Sequence, residues 1–229
     1  MKLSLSPGSF NELEFYRFIL DNDLFRFGET VLASGRKSCF KLDWEPALTK
    51  LRTLDYVARS VLAKVNDLGL EPDLFIGVPE GVTSLGVAIQ LLWAEKTGLD
   101  NLVISRKNEG YVGNPAHQQI VYIEDTATTG GSIVRELEKA VKHQAWPTVV
   151  ISLADRKQLT DSGKTVREVV ESQGMAYHNL SSVPSLLVGA YAKGLIPEDL
   201  AKKIEAEYAH LQEGWLLGKE KPLWSGIVD

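Results

Sequence analysis

The chain has 229 residues, of which 44% are hydrophobic and 24% are charged, and its formal net charge is −5. These values are ordinary for a globular protein with a buried core, and no run of Lys and Arg marks a nucleic-acid surface, so we expect no nucleic-acid partner. Cys39 is the only cysteine, which excludes an internal disulfide and a metal site built from clustered cysteines.

The ends and the apolar segments carry no sign of export or of a membrane. The opening stretch MKLSLSPGSF has one Lys and no sustained apolar core, so we expect no signal peptide. No window approaches 18 consecutive apolar residues, so we expect no membrane span. The chain is therefore expected to be cytoplasmic.

The first 70 residues predict a helix, a hairpin and a longer helix. Ser9 and Glu12 have the spacing of a capping box before the apolar residues of SFNELEFYRFIL. Two short strands are predicted in ETVLASGRKSCFKLDW, around a turn at residues 34–38. Apolar residues then recur at helical spacing over residues 46–68, and Gly69 ends this helix.

Apolar strands and helices alternate in the middle of the chain. Strands are predicted in DLFIGVP, NLVISR, QQIVYIED and PTVVISLADR, and helices in TSLGVAIQLLWAEKTG and GSIVRELEKAVKH. Continuous apolar strands separated by helices favour a parallel sheet that is covered on both faces. Further helices are predicted at residues 183–192 and 197–211, before a tail that contains Trp215 and Trp224.

These elements predict one α/β domain over residues 1–229, with a central parallel sheet flanked by helices. A small N-terminal hood is expected at about residues 1–45 and the core at about residues 46–194. A helical C-terminal extension is expected at about residues 195–229.

Two acids, Glu124 and Asp125, end the predicted strand QQIVYIED and precede a loop rich in Thr and Gly. Ligands of open α/β sheets bind beyond the carboxyl ends of the strands, and the N–H groups at the start of the next helix suit a phosphate. Gly130 and Gly131 let the backbone approach such a group closely. Hydroxyl groups that can bind its oxygens belong to Thr126, Thr128, Thr129 and Ser132.

The two carboxylates would repel a phosphate, so we expect them to face ribose hydroxyls or a bound Mg²⁺. Sugar at the acids and phosphate at the turn describe a ribose 5-phosphate. The simpler alternative is a strand-to-helix turn with a solvated acid pair. Other phosphate motifs fit less well, because Gln158 stands where the P-loop pattern of QLTDSGKT needs its first Gly, and no G-x-G-x-x-G follows a predicted strand.

The segment VYIEDTATTGGS (121–132) resembles the phosphoribosyl pyrophosphate signature of type I phosphoribosyltransferases. Three other segments are similar to one branch of that family, orotate phosphoribosyltransferase. FGETVLASGRKSCFKLD (27–43) is similar to the segment that borders the base, SRKNEGYVG (105–113) falls at the mobile catalytic loop, and SLADR (152–156) matches a strand that ends in Asp-Arg. The resemblance runs from about residue 10 to about residue 190.

The resemblance implies a type I phosphoribosyltransferase fold and a Mg²⁺-dependent homodimer. The implied reaction moves ribose 5-phosphate from phosphoribosyl pyrophosphate to a nucleobase, orotate, giving orotidine monophosphate. Glu124 and Asp125 would hold the ribose hydroxyls, and Asp125 would reach the metal indirectly, through substrate or water. The phosphate would be held by the rest of the motif, Thr126, Ala127, Thr128, Thr129, Gly130, Gly131 and Ser132.

The diphosphate and the base have their own implied residues. The loop GVPEGVTS (77–84) would bind pyrophosphate through Pro79, Glu80 and Gly81. Arg106 and Lys107 would meet the diphosphate, often across a dimer interface, and Lys107 joins the two acids as an implied catalytic residue.

For the base, the resemblance implies Arg156, Phe40 and Lys37. The Arg156 guanidinium would pair with the orotate carboxylate. The alternative for Arg156 is an ion pair with Asp155 or Asp161.

The chain departs from the family pattern in the catalytic loop. The family pattern is Arg-Lys-Glu-x-Lys-x-His-Gly. Aligned on Arg106, this chain has Gly110 in place of the second Lys and Val112 in place of the His. Two further functions are therefore left open. One is a non-catalytic regulatory protein that binds phosphoribosyl pyrophosphate or a nucleotide, and the other is a transferase for another base, which would bring no carboxylate to Arg156.

Overall fold

The fold is that of a computed structural model, which describes residues 8–32, 35–108, 110–211 and 214–217. Ser34 of the predicted hairpin turn and Trp224 of the tail lie outside these residues. Within the described ranges, every helix is too short or too polar to cross a lipid bilayer.

The hood consists of helix α1 (Glu12–Asp21) and the antiparallel strands β1 (Phe25–Val31) and β2 (Lys37–Leu42). The predicted capping box is wrong, because Asn11 caps α1 and its side chain accepts the Glu14 N–H at 3.1 Å. Ser9 instead donates to Asp67, 3.1 Å away. Asn caps a helix as well as Ser does, and here it stands two residues closer to the apolar run.

The helix predicted over residues 46–68 is two helices, α2 (Trp44–Leu48) and α3 (Leu51–Asp67). Lys50, between them, has an extended backbone with ψ near 116°, which interrupts the helical hydrogen bonds. Gly69 follows α3 with a positive φ of 64°, so it ends the helix as predicted.

The core follows in chain order. Its elements are β3 (Leu74–Gly77), α4 (Thr83–Thr97), β4 (Ile104–Arg106), β5 (Gly110–Val112), β6 (Gln119–Ala127), α5 (Gly131–Lys142), β7 (Trp146–Asp155), α6 (Val166–Glu171), β8 (Ala176–Asn179) and α7 (Val183–Ala192). Four strands form one parallel sheet in the order β3-β6-β7-β8. The predicted parallel sheet flanked by helices is therefore confirmed.

Both faces of this sheet are buried. Along β6, Val121 and Ile123 belong to the apolar cluster under α1, α3, α4 and α7, whereas Ile120 and Tyr122 belong to the cluster under α5 and α6. Successive side chains of a strand point to opposite faces, so a strand covered on both sides must be apolar throughout. This is why the strand sequences read as continuous apolar runs.

The segment NLVISR does not join the parallel sheet. Only Ile104–Arg106 is a strand, and it pairs antiparallel with β5, with Arg106 opposite Gly110. Gly110 has a positive φ of 79°, which helps the chain to reverse within three residues. As a result, β4 pairs with β5 in a hairpin and not with a strand of the parallel sheet.

The C-terminal extension contains α8 (Glu198–Glu207), which ends four residues before the predicted end at 211. Ala201, Ile204 and the following Tyr208 are fully buried in the core. Trp215 packs edge-on against the Tyr208 ring, with ring centroids 5.2 Å apart. Helix α8 therefore packs on the core, and it lies against the hood strand β2.

Candidate functional site

The site lies where β6 ends and α5 begins. The strand carries Glu124 and Asp125 near its carboxyl end and remains paired with β7 as far as Ala127, opposite Asp155. Thr128, Thr129 and Gly130 form the loop, and Gly130 adopts a positive φ of 77° at the position that caps α5. The structure therefore places the predicted motif at the edge of the sheet where α/β proteins bind ligands.

Glu124 is buried, with 6% of its surface exposed. One carboxylate oxygen, Oε1, accepts a hydrogen bond from Ser132 Oγ at 2.7 Å, across the mouth of the loop. Within the described residues, neither Glu124 Oε2 nor Thr126 Oγ1 has a hydrogen-bond partner, although both atoms are buried. Buried polar atoms are nearly always paired in folded proteins, so this pair of atoms fits a ligand that carries hydroxyl groups.

Burial and the neighbouring Asp125 carboxylate raise the pKa of Glu124 to about 8. Burial also raises the pKa of Asp125, against the opposing effects of the Thr126 N–H and of Lys41. Two adjacent acids in a poorly solvated position resist double ionisation. The ligand-free site therefore holds a proton near neutral pH.

We expect Glu124 to make the ligand-free protein less stable as the pH rises from about 4.5 to about 8. The pKa of this group is raised from its ordinary 4.5 to about 8 on folding, so the folded state binds more protons than the unfolded state in this interval. Raising the pH then favours unfolding, by a few kcal/mol at most.

The measurement is urea denaturation of wild type and Glu124→Gln at about pH 5 and about pH 8. Wild type should lose more free energy of unfolding than the variant over this interval. Equal losses in the two proteins would show that the Glu124 pKa is close to that of an exposed carboxyl.

The loop between β3 and α4 reaches the same acids. Val78 N–H donates to the Ile123 carbonyl at 2.8 Å, which ties the loop to β6 just before Glu124. A Cβ atom at Gly81 would lie only 2.8 Å from Asp125 Oδ2, so a larger residue here would force the Asp125 carboxylate to shift. Pro79 and Glu80 precede Gly81 in this loop. The structure thus brings the predicted pyrophosphate loop to Asp125.

The hairpin that carries Arg106 and Lys107 lies elsewhere. Lys139 of α5 donates to the Arg106 carbonyl at 2.7 Å and pairs with the buried Glu136 at 2.7 Å. Lys139 is roughly 12 Å along the helix from Gly131 at its start. Ser105 Oγ of the same hairpin also donates to Glu136 at 2.6 Å, so the hairpin is docked on the side of α5.

The predicted base residues Arg156 and Phe40 come together. Arg156 has only 1% of its surface exposed, and its guanidinium carbon lies 4.1 Å from the centre of the Phe40 ring. It donates to Gln158 Oε1 at 3.0 Å and to Ser38 Oγ at 2.8 Å. Lys37, at the start of β2, is exposed.

The carboxylate that faces Arg156 is Glu207 of α8, with the closest nitrogen and oxygen 3.5 Å apart. The alternative pairs are wrong, because Asp155 pairs with Lys157 at 2.9 Å and Asp161 pairs with Arg36 at 3.2 Å. Sequence reasoning missed Glu207. It is an ordinary acid on an amphipathic helix, and no local pattern distinguishes it.

Comparison with known proteins gives one consistent result. No protein-family model matches the chain. It is 26% identical to the orotate phosphoribosyltransferase of Pyrococcus abyssi over 186 residues, 77% of this chain and 96% of that protein. It is 30% identical to the orotate phosphoribosyltransferase of Methanospirillum hungatei over 155 residues, 65% of this chain and 84% of that protein.

A solved structure has the same fold. The crystal structure of orotate phosphoribosyltransferase from Francisella tularensis matches with a TM-score of 0.66 at 19% identity. The match covers 86% of this chain and 98% of that chain.

Proposed function

The chain belongs to the orotate phosphoribosyltransferase family, and we propose that it transfers ribose 5-phosphate from phosphoribosyl pyrophosphate to orotate. The products are orotidine monophosphate and pyrophosphate, in pyrimidine synthesis. The observation that carries this proposal is a pair of buried oxygens, Glu124 Oε2 and Thr126 Oγ1, which have no hydrogen-bond partner among the described residues and lie beside the N-terminus of α5. A ribose 5-phosphate offers hydroxyl donors to the two oxygens and a phosphate anion to the N-terminus of α5.

In the proposed reaction a ring nitrogen of the base attacks C1 of the ribose. The C1–N bond forms, the C1–O bond to the diphosphate breaks, and the diphosphate leaves with the electron pair while the nitrogen loses its proton. C1 gains positive character in the transition state. Glu124 and Asp125 would hold the ribose hydroxyls, and their negative charge would stabilise that positive charge.

The phosphate would be held by backbone N–H groups at the start of α5 and by the hydroxyls of residues 126–132. Gly81 and its neighbours in the β3–α4 loop would face the diphosphate, because this loop already contacts Asp125. Arg106 and Lys107 would serve the diphosphate of the partner subunit in a homodimer. The homodimer and the cytoplasmic location stay predictions.

Mg²⁺ fits this donor set as an ion that the substrate carries. Two adjacent carboxylates offer the hard oxygen ligands that it prefers. In the part of the chain that the structure describes, no group of three or more His, Cys, Asp or Glu side chains could hold a metal. As the family resemblance implies, Asp125 would reach the ion through substrate or water, and the bound ion would offset the negative charge of the diphosphate.

The test is pyrophosphate release from phosphoribosyl pyrophosphate and Mg²⁺ with orotate, uracil and the purine bases, each in a separate assay. We expect release with orotate. Release with another base alone would move the chain to a transferase for that base. No release with any base would overturn the transferase proposal.

A non-catalytic binding protein is the second candidate, and the hairpin favours it. Three residues separate β4 from β5, and Lys139 and Tyr111 hold the hairpin to the body of the domain, Tyr111 through a 2.7 Å hydrogen bond to Tyr122. A segment this short and this anchored is poorly suited to closing over a diphosphate. Calorimetric binding of phosphoribosyl pyrophosphate without turnover of any base would support this candidate.

A further inference from the structure

A carboxylate-binding site lies at the end of β7, and Glu207 occupies it. Ser38 Oγ donates to Glu207 Oε2 at 2.8 Å, and Arg156 Nη2 lies 3.5 Å from the same oxygen. The backbone N–H of Cys39 donates to the other oxygen, Oε1. The guanidinium carbon of Arg156 also lies 4.1 Å from the centre of the Phe40 ring. Three donors from two segments therefore converge on a single carboxylate.

This site adjoins the ribose site. Arg156 N–H donates to the Ala127 carbonyl at 3.0 Å, and Ala127 is two residues after Asp125. Neighbouring strands are separated by about 5 Å. A planar base attached to a sugar at Glu124 and Asp125 would therefore reach the Phe40 ring and the donors around Arg156.

We propose that Glu207 is a specificity-determining residue, which competes with the carboxylate of the acceptor base for Arg156, Ser38 and the Cys39 N–H. The proposal rests on the proposed function, since it takes the acceptor to bind beside the ribose. A carboxylated base must displace Glu207 or lie against its negative charge, whereas a base without a carboxylate meets donors that are already satisfied. Glu207 thus lowers the preference of the site for carboxylated bases.

Competition requires only the Glu207 side chain to move. The backbone of α8 is fixed, because Ala201, Ile204 and Tyr208 are fully buried. Glu205 adds a second tie by accepting the Leu216 N–H at 3.1 Å. Rotating a Glu side chain costs far less than exposing these apolar groups. Glu207 therefore stays beside the carboxylate-binding site even when its side chain rotates away.

The test measures binding of orotate and of uracil, which differ by one carboxylate, to wild type and Glu207→Gln. Gln keeps the length of the side chain and removes its charge. We expect the Kd for orotate to fall about tenfold or more in the variant and the Kd for uracil to change by less than about threefold. Glu198→Gln is the matched control, because Glu198 lies on the same helix and pairs with the exposed Lys202 at 2.8 Å. It should leave both Kd values unchanged.

An unchanged orotate Kd, or equal changes for orotate and uracil, would overturn the proposal. Should Glu207→Gln not fold, Glu207→Asp replaces it, because the shorter side chain withdraws the charge from the donors and should also tighten orotate binding selectively. Binding is read without turnover. A selective gain of orotate affinity in a protein that releases no pyrophosphate would therefore support the inference and reject the proposed function. Pyrophosphate release with orotate, without a selective gain of orotate affinity in the variant, would support the proposed function and reject the inference.

Discussion

We expect Asp125→Asn to release pyrophosphate about 100 to 1,000 times more slowly than wild type, because removing one group that stabilises charge in a transition state typically costs this much in rate. The loss should fall on kcat, since the positive charge at C1 develops only in the transition state. Asparagine matches the size of aspartate and still accepts from the Thr126 N–H, the bond that Asp125 Oδ1 accepts in the wild type. The variant therefore changes charge with little change of shape.

Stability separates this role from a structural one. Burial raises the pKa of Asp125, so the folded protein gains nothing from its ionised form and should tolerate the neutral side chain. We expect the free energy of unfolding of Asp125→Asn to equal or exceed that of wild type near neutral pH, by urea denaturation. Asp55→Asn is the control, because its ion pair with Arg59 lies on α3 and is partly exposed. Normal turnover in Asp125→Asn would show that the charge of Asp125 is not needed for catalysis and would favour the simpler interpretation of a strand-to-helix turn.

The type I phosphoribosyltransferase fold expected from the sequence is confirmed. Its parallel strands could be predicted because a strand buried on both faces is apolar at every position, as β3 is. The strand β4 was predicted for the same reason, yet it pairs with β5. Pairing is decided by contacts that a local pattern does not contain, here the anchoring of Tyr111 to Tyr122 and of Lys139 to Arg106.

The two halves of the candidate site differ in how far they could be predicted. The ribose-phosphate half comes from one continuous stretch, residues 124–132, so strand, acids, loop and helix are all visible in the sequence. The base half combines three distant segments. Glu207 bonds to the N–H of Cys39 from 168 residues away, and no periodicity or motif links the two. Resemblance pointed to Arg156 and Phe40, but only the fold shows which carboxylate lies beside them.

We expect Arg156→Met to lower the free energy of unfolding by about 3–5 kcal/mol, because it removes one partner of a buried ion pair. Glu207 would keep the Ser38 hydroxyl and the Cys39 N–H but lose the guanidinium that faces it. Gln158 would lose the donor that now lies 3.0 Å from its Oε1. Methionine keeps an apolar side chain against Phe40, so the loss reflects charge rather than an empty space. The measurement is urea denaturation.

Arg167→Met is the matched control. Arg167 also faces an aromatic ring, that of Tyr177, and pairs with Glu171 at 2.9 Å, but its side chain is 44% exposed. An exposed pair of this kind contributes about 1 kcal/mol or less. Equal losses in the two variants would mean that solvent reaches Arg156 and that the pair is not buried in solution.

The double variant Arg156→Met, Glu207→Leu tests whether the loss comes from the stranded carboxylate. Replacing both charges by apolar groups removes the unpaired anion, so most of the lost stability should return. The same protein should also bind orotate no better than uracil, because the guanidinium that would take the carboxylate is gone. Recovered stability without a preference for orotate would show that the two residues have separate effects on ligand binding. Arg156 attracts the carboxylate of the base, and Glu207 competes with that carboxylate for Arg156.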